Sequence, residues 1–95
     1  MGVAVGVLTV ELRIPQSRSL KKKRMIIKSL KDRLSNKFNV SIAEVDNLDK
    51  WSSAVLAIAH VSNSRPFTDS TLSKILNFID DFREAELADH QIDLL

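Results

Sequence analysis

The sequence predicts an α+β fold with one four-stranded antiparallel sheet and two helices, and three observations support this. Four segments have the period of two or the β-branched and apolar composition of β-strands. Two segments between them repeat apolar residues with a period near 3.6, which indicates amphipathic helices. The resulting order, β-α-β-β-α-β, in 95 residues predicts one ferredoxin-like domain over residues 1–95 with strand order 4-1-3-2 and both helices on one face of the sheet.

The first half begins with a strand predicted over Gly2–Ile14, which Pro15 ends. A helix is predicted from Leu20 to about Lys37, with Ser19 as its N-cap because a serine hydroxyl can accept a hydrogen bond from a free N–H of the first turn. A second strand is predicted over Asn39–Asp46. The face of the first strand predicted to be buried contains Ala4, Gly6, Leu8, Val10, Leu12 and Ile14.

The second half adds two strands and the more apolar helix. Turn-forming residues in Asp46–Lys50 precede a strand predicted from Trp51 to about Ser62, which is apolar on both faces and therefore central. The last strand is predicted over Glu84–Leu95. Its faces are predicted to contain Ala88, His90, Ile92 and Leu94 on one side and Leu87, Asp89, Gln91 and Asp93 on the other.

The second helix is predicted to start after a cap at Asn63 or Ser64, to tolerate Pro66 in its first turn, and to continue to the region of Arg83. One side of this helix is the most apolar stripe of the chain. The stripe is predicted to be core throughout and contains Phe67, Thr71, Leu72, Ile75, Phe78, Ile79 and Phe82.

Composition excludes several functional classes. The chain has no cysteine, so disulfides, thiolate metal sites and cysteine nucleophiles are absent. No apolar run approaches the roughly 18 residues that cross a bilayer, and Met1–Val10 is better explained as a strand than as a signal peptide. We therefore expect a cytoplasmic protein with no membrane association.

Charge is distributed unevenly along the chain. The segment from Arg13 to Lys37 contains ten basic residues and one acidic residue, whereas the remainder contains four basic and eleven acidic residues. A molecule with one basic pole can attract an anionic partner although its net charge is only +2.

The basic segment is concentrated at the start of the first helix, in Ser17–Arg24. Cations are unfavourable there because a helix N-terminus already carries partial positive charge, so the pattern indicates a site for an anion. A row of cations at i, i+3, i+7 and i+10 would form a continuous ridge on that helix. The predicted nucleic-acid or anion site contains Arg18, Ser19, Lys21, Lys23, Arg24, Lys28 and Lys31.

Other interpretations of the basic segment remain open at this point. The cations could form a solvated helix face, or they could pair with Asp89 and Asp93 or with a partner subunit. Lys23 is exceptional because its direction falls within the apolar arc, where it must extend past the sheet edge or meet an anion. A carboxylate partner for Lys23, such as Glu11, would weaken the anion-site hypothesis.

One face of the predicted sheet has no helix to cover it. Apolar residues on that face favour a homodimer formed through the face or through an edge strand. The predicted interaction residues are Val3, Val5, Val7 and Trp51. For Trp51, packing against the hairpin or burial in a dimer is favoured over base stacking or another partner contact.

Catalytic chemistry has little support in the sequence. His60 and His90 are predicted on strands that are not adjacent, and no third metal ligand accompanies them. Glu11 and Glu44 lack a pocket and a general acid partner. Both glycines lie near the N-terminus, which excludes a glycine-rich phosphate loop. We therefore expect no enzyme activity, no metal and no cofactor.

Four blocks of the sequence resemble a known family: Gly6–Leu12, Ser19–Arg24, Phe38–Val45 and Asp49–Trp51. Over nearly its whole length the chain is similar to the YlxP-like proteins, small bacterial proteins classed as a domain of unknown function. The resemblance implies a ferredoxin-like fold and a bacterial cytosolic setting, and the usual gene neighbourhood beside translation and ribosome-maturation factors implies a link to RNA. The chain departs from the family at Lys22, where an acid is common, and in the residues before Trp51, where an apolar residue is common.

Together these observations predict an RNA-binding protein that acts in ribosome assembly or translation and contacts RNA through its first helix. The predicted central strands lack aromatic residues on which bases could stack, so RNA contacts are expected along the helix with weak sequence specificity. Two alternatives remain: a homodimeric interaction or scaffold module that docks an acidic partner, and a dimer that senses a small ligand.

Overall fold

The computed structural model describes residues 2–95 and contains six elements in the predicted order. The elements are β1 (Ala4–Arg13), α1 (Leu20–Lys37), β2 (Val40–Asp46), β3 (Ser53–Ser62), α2 (Arg65–Asp80) and β4 (Glu86–Leu94). The third strand starts two residues later than predicted because residues 47–52 form the loop of the β2–β3 hairpin. Within residues 2–95, no helix is both long and apolar enough to cross a membrane.

All four strands belong to one antiparallel sheet with the order β2-β3-β1-β4. This is the predicted order 4-1-3-2 viewed from the opposite edge, so the ferredoxin-like fold is confirmed. The central strand β1 pairs with β3 over its whole length, from Ala4 opposite Ser62 to Arg13 opposite Ser53. Strands β2 and β4 form the two edges.

The core lies between the two helices and one face of the sheet, and every element except the edge strands supplies fully buried side chains. The alternation predicted for β1 and β3 is confirmed, because Leu8 and Ile58, which face each other, are fully buried. The helices cover this face with buried Ile26, Ile27, Leu30, Leu34, Leu72, Ile75 and Ile79. Half-buried residues of the edge strands pack around the rim.

The apolar stripe of α2 differs from the prediction at its first residue. Phe67 is 57% exposed, whereas Thr68 beside it is fully buried. The N-cap is Ser64 and not Asn63, since the Ser64 hydroxyl accepts a hydrogen bond from the Phe67 N–H at 3.3 Å. The prediction that Phe67 belongs to the core is therefore wrong, and the residue that the first turn of α2 buries is Thr68.

A bulge in β4 changes the face of Leu87. Glu11 pairs with Asp89 but Leu12 pairs with Leu87, so Ala88 is an extra residue in the ladder. A bulge of this kind shifts the alternation by one residue. Leu87 consequently lies on the core side of the sheet. The prediction that Leu87 and Asp89 share one face of the strand is therefore wrong.

Gly6 allows α2 to approach the sheet closely. A Cβ atom at this position would lie 2.7 Å from Cδ1 of Leu72 and 2.8 Å from Cγ2 of Thr68. Both of these side chains are fully buried, so a Cβ at this position would force them or α2 to shift.

We predict that Gly6→Ala lowers the free energy of unfolding by about 1–3 kcal/mol, the usual cost of overpacking a core. Denaturant unfolding monitored by circular dichroism measures this change. Gly2→Ala is the matched control, because the nearest atom to its Cβ would be the Asn63 carbonyl oxygen at 3.8 Å. Equal stability of the two variants would contradict the close approach.

Candidate nucleic-acid interface

The side chain of Lys23 is buried beneath the N-terminal part of α1, where it is 1% exposed. Its ammonium donates to the Glu44 carboxylate at 2.9 Å and to the carbonyl oxygen of Asn47 at 2.9 Å. The carbonyl oxygens of Leu48 and Ser53 accept at 3.3 and 3.2 Å. These four acceptors come from β2, from the hairpin loop and from the first residue of β3. One helix side chain therefore ties α1 to both arms of the β2–β3 hairpin.

The prediction that Lys23 binds an external anion is wrong, because its ammonium is already bound by protein oxygens. A buried ammonium is stable only when its hydrogen bonds are satisfied, and four protein oxygens already surround this one. Lys23 pairs with a carboxylate, which is the alternative that weakens the anion-site hypothesis. The carboxylate is that of Glu44, whereas the sequence had suggested Glu11. It is a structural residue that offers nothing to a ligand outside the protein.

Four other cations of α1 lie in a row on its outer surface. We call Lys21, Arg24, Lys28 and Lys31 the basic ridge. Lys21 and Arg24 are exposed and Lys31 is half-buried. Lys28 pairs with Asp32 at 2.8 Å, one helical turn away. A hydrogen bond to Asp32 and the attraction of its charge raise the pKa of Lys28 above its usual value, so this lysine stays charged but is partly compensated.

The position of the basic ridge follows from what the rest of α1 contacts. The Arg33 guanidinium lies 5.4 Å from the ring centroid of Phe82, and the Lys37 ammonium lies 5.2 Å from that of Phe78. These contacts place the flank of α1 near Arg33 and Lys37 against α2 and the segment that follows it. The basic ridge is on the opposite flank, above the edge strand β2, and it extends about 15 Å from Lys21 to Lys31.

The loop before α1 uses its two serines internally. The Ser17 hydroxyl is buried and donates to the Ser19 carbonyl at 3.0 Å. The Ser19 hydroxyl caps the helix by accepting from the Lys22 N–H at 3.1 Å, as predicted. Arg18 between them is exposed. No acidic residue occupies the first turn of α1, so the cations there are not compensated locally.

Trp51 lies at the same end of the molecule as the start of α1. Its neighbour Ser52 accepts a hydrogen bond from the Ile14 N–H at 2.7 Å, which joins the hairpin loop to the segment leading into α1. Trp51 is 58% exposed and Leu48 in the same loop is 56% exposed. Packing against the hairpin therefore does not account for Trp51, and its indole is available to a partner.

The residues predicted to form a dimer do not form one cluster. Val3 is exposed, and Val5 and Val7 are half-buried on the uncovered face of the sheet. Trp51 lies near the opposite end of β1, about 26 Å from Val5 by strand length. The predicted interaction residues therefore belong to two separate surfaces, the uncovered face of the sheet and the loop of the β2–β3 hairpin.

The titratable residues considered for catalysis are also apart. Glu11 pairs with Val55 on the uncovered face, whereas Glu44 is on the helix side and binds Lys23. His60 and His90 belong to strands on either side of β1. Within residues 2–95 there is no group of three or more His, Asp or Glu side chains arranged to hold a metal ion.

Comparison with known proteins identifies relatives but no activity. Residues 5–92 match the family described as "Protein of unknown function (DUF503)". An "Uncharacterized protein YlxP" of Bacillus subtilis (strain 168) is 43% identical over 82 residues, which cover 86% of this chain and 89% of the relative. The family resemblance predicted from the sequence is confirmed.

We predict that Lys23→Met lowers the free energy of unfolding by about 3 kcal/mol, because it leaves the half-buried Glu44 carboxylate and three carbonyl oxygens without their donor. Lys22→Met is the matched control, since the exposed Lys22 should change stability by no more than about 0.5 kcal/mol. Denaturant unfolding of both variants tests this. A Lys23→Met protein as stable as the control would refute the role of Lys23 as a clamp.

Proposed function

This chain belongs to the DUF503 family of proteins of unknown function, and we propose that it is a non-catalytic RNA-binding protein whose basic ridge contacts the phosphate backbone. The observation that carries this proposal is the ridge itself, a row of cations on one flank of α1. Only Lys28 among the four has an ion-pair partner within residues 2–95. Arg18 extends the row beyond the helix N-terminus.

The cost of this arrangement supports a ligand in preference to a merely solvated surface. Cations in the first turn of a helix oppose its dipole, and neighbouring cations on one flank repel each other. The acidic residues of β4 do not relieve this repulsion, because they lie on the far edge of the sheet from β2. A polyanion along the ridge would relieve it, since each phosphate supplies a negative charge and releases counterions.

The form of the surface favours the backbone of RNA over its base sequence. Phosphate contacts position a nucleic acid but do not specify its sequence. The uncovered sheet face has Val5, Val7 and Ala59 where related RNA-binding folds place stacking aromatics. Trp51 has an exposed indole near the start of the ridge. We propose that this indole stacks on an RNA base that is not paired within an RNA helix.

We further propose that the RNA belongs to a ribosomal particle, so that the protein acts in ribosome assembly or translation. A short basic ridge with little sequence readout suits a large structured RNA, whose shape fixes where the ridge can dock. The alternative partner, an acidic protein surface, would meet the same cations but would not require Trp51 to stack.

We predict that the protein binds single-stranded RNA with a log–log salt slope near −3, the value for about four neutralised phosphates. Lys21→Glu/Arg24→Glu should reduce the affinity at least about tenfold and the slope to about −1.5. Fluorescence anisotropy across a potassium chloride series measures both, and sedimentation with ribosomal subunits tests the proposed particle.

The matched control is Arg65→Glu/Arg83→Glu, which makes the same change in net charge on exposed residues outside α1. This control should lose less than about threefold in affinity, because it leaves the ridge intact. Equal loss in the two double variants would mean that only net charge matters and would refute the ridge as the interface. Binding to acidic polypeptide but not to RNA would favour the protein-docking alternative.

The uncovered face of the sheet supports a second proposal, that the protein forms a homodimer through this face. Its central residues are apolar or small and include Val5, Val7, Ala57 and Ala59, while charged residues lie toward β4. Four strands about 4.8 Å apart and about 30 Å long present about 600 Å². That area is close to the roughly 800 Å² per partner of a standard interface, so a second copy can cover it.

We predict that analytical ultracentrifugation detects a dimer and that Ala59→Arg converts it to a monomer, because the new cation lies at the centre of the face. Ser73→Arg is the control, since it adds the same charge to the exposed side of α2. A monomeric parent protein at high concentration, or a dimeric Ala59→Arg variant, would contradict this assembly.

A further inference from the structure

A groove lies between the C-terminal end of α1 and the length of α2, from Phe67 to Asp81. It consists of two adjoining cavities of about 300 and 280 Å³, which share Lys37, Phe38 and Lys74. The larger cavity is also lined by Asn39, His60, Val61, Phe67 and Thr71. We call the two cavities together the interhelical groove. It shares no residue with the basic ridge.

His60 is held in one orientation by a chain of hydrogen bonds. Its ring is 5% exposed, and its Nδ1 lies 3.0 Å from the Thr68 hydroxyl oxygen. The Thr68 oxygen lies 2.7 Å from the Ser62 hydroxyl oxygen, which in turn donates to the Ser64 carbonyl at 2.9 Å. Since Ser62 uses its proton on Ser64, Thr68 must donate to Ser62 and can only accept from His60.

This chain of donors fixes the tautomer of the imidazole. Nδ1 carries the proton, and in the neutral ring Nε2 is therefore an acceptor. Nε2 has no hydrogen-bond partner within residues 2–95. Among residues 2–95 no fully buried polar side-chain atom lacks a partner, so Nε2 keeps some contact with solvent. His60 therefore brings an unpaired, oriented acceptor to the wall of the larger cavity.

An aromatic ring lies beside this acceptor. The centroid of Phe67 is 5.7 Å from that of His60, with the planes tilted by 54°. Phe67 remains 57% exposed, so much of its ring is uncovered. An exposed phenyl group at the wall of a groove is a surface on which a planar heterocycle can stack.

Two lysines border both cavities. The Lys37 ammonium lies over the rings of Phe78 at 5.2 Å and Phe38 at 5.7 Å, which hold it without an ion pair. Neither Lys37 nor Lys74 has a carboxylate within 4.0 Å among residues 2–95. Asp81 lines the far side of the smaller cavity. Both lysines are therefore free to pair with an anionic group of a ligand.

From these contacts we propose that the interhelical groove binds a planar heterocycle that carries one anionic group, of the chemical class of the nucleoside monophosphates. The base stacks on Phe67 and donates a hydrogen bond to Nε2 of His60, while the phosphate binds between Lys37 and Lys74. The larger cavity is at the lower end of the roughly 300–1,000 Å³ typical of ligand sites, a size that suits one nucleotide. The nucleotide is either free or the terminal residue of an RNA.

The test is an NMR titration of the full chain with AMP, GMP, CMP and UMP, with inorganic phosphate and adenosine as partial probes. We expect at least one monophosphate to perturb the amides of the groove and the imidazole nitrogens of His60. Phe67→Ala should weaken this binding about tenfold, in line with the loss of one stacking contact. Lys74→Met should weaken it about fivefold. Both side chains are exposed, so the fold should persist.

Met25→Ala and Lys50→Met are the matched controls, because they remove an exposed apolar and an exposed basic side chain elsewhere. Neither should change the affinity. The ridge variant Lys21→Glu/Arg24→Glu should also bind nucleotides normally, which separates this proposal from the proposed RNA contact along α1. A 5′-phosphorylated oligonucleotide that binds when the free monophosphates do not would identify the ligand as an RNA terminus.

Three results would overturn the proposal. The first is the absence of any groove perturbation by all four monophosphates and the phosphorylated oligonucleotide at millimolar concentration. The second is binding of inorganic phosphate as tight as that of the best monophosphate, since the ring would then contribute nothing. The third is unchanged affinity in both Phe67→Ala and Lys74→Met.

Discussion

The buried ammonium of Lys23 sets the position of α1 and, through it, the geometry of the outer surface. It binds four oxygens from β2, the hairpin loop and β3, so α1 cannot rotate without breaking them. Residues of a helix follow each other at about 100°, and the cations of the basic ridge are therefore turned roughly 80–160° away from Lys23. The contacts of one buried lysine therefore determine that the basic ridge lies on the outer surface of α1.

Charge is distributed unevenly over the fold. Cations are concentrated on α1, above the edge strand β2, whereas β4 at the other edge carries three carboxylates and no lysine or arginine. Gly6 permits α2 to lie close to β1 beneath the interhelical groove, with Thr68 and Leu72 in contact with the strand. Thr68 is also the residue that orients His60. The packing of α2 against the sheet and the chemistry of the groove consequently depend on the same contact.

The three surfaces open to partners lie on different parts of the fold. The basic ridge is on the outer flank of α1, the interhelical groove is at the C-terminal end of α1, and the apolar face is on the far side of the sheet. A homodimer through that face would leave the basic ridge of each protomer accessible. The proposed self-association is therefore compatible with the proposed nucleic-acid contact.

The sequence by itself determined the order of elements, the Ser19 cap and most of the core, because these depend on local periodicity and capping chemistry. It also determined the strand order, because right-handed crossovers leave the β-α-β-β-α-β order few topologies. Only the tertiary structure decided what Lys23 binds, since its four acceptors come from segments more than 20 residues away. The same holds for Phe67, which belongs to the apolar stripe by spacing but is exposed in the fold, and for Leu87, whose face the bulge in β4 reverses. Periodicity tells which side of an element is apolar, but the neighbours that cover or satisfy each side chain are set by how the elements meet.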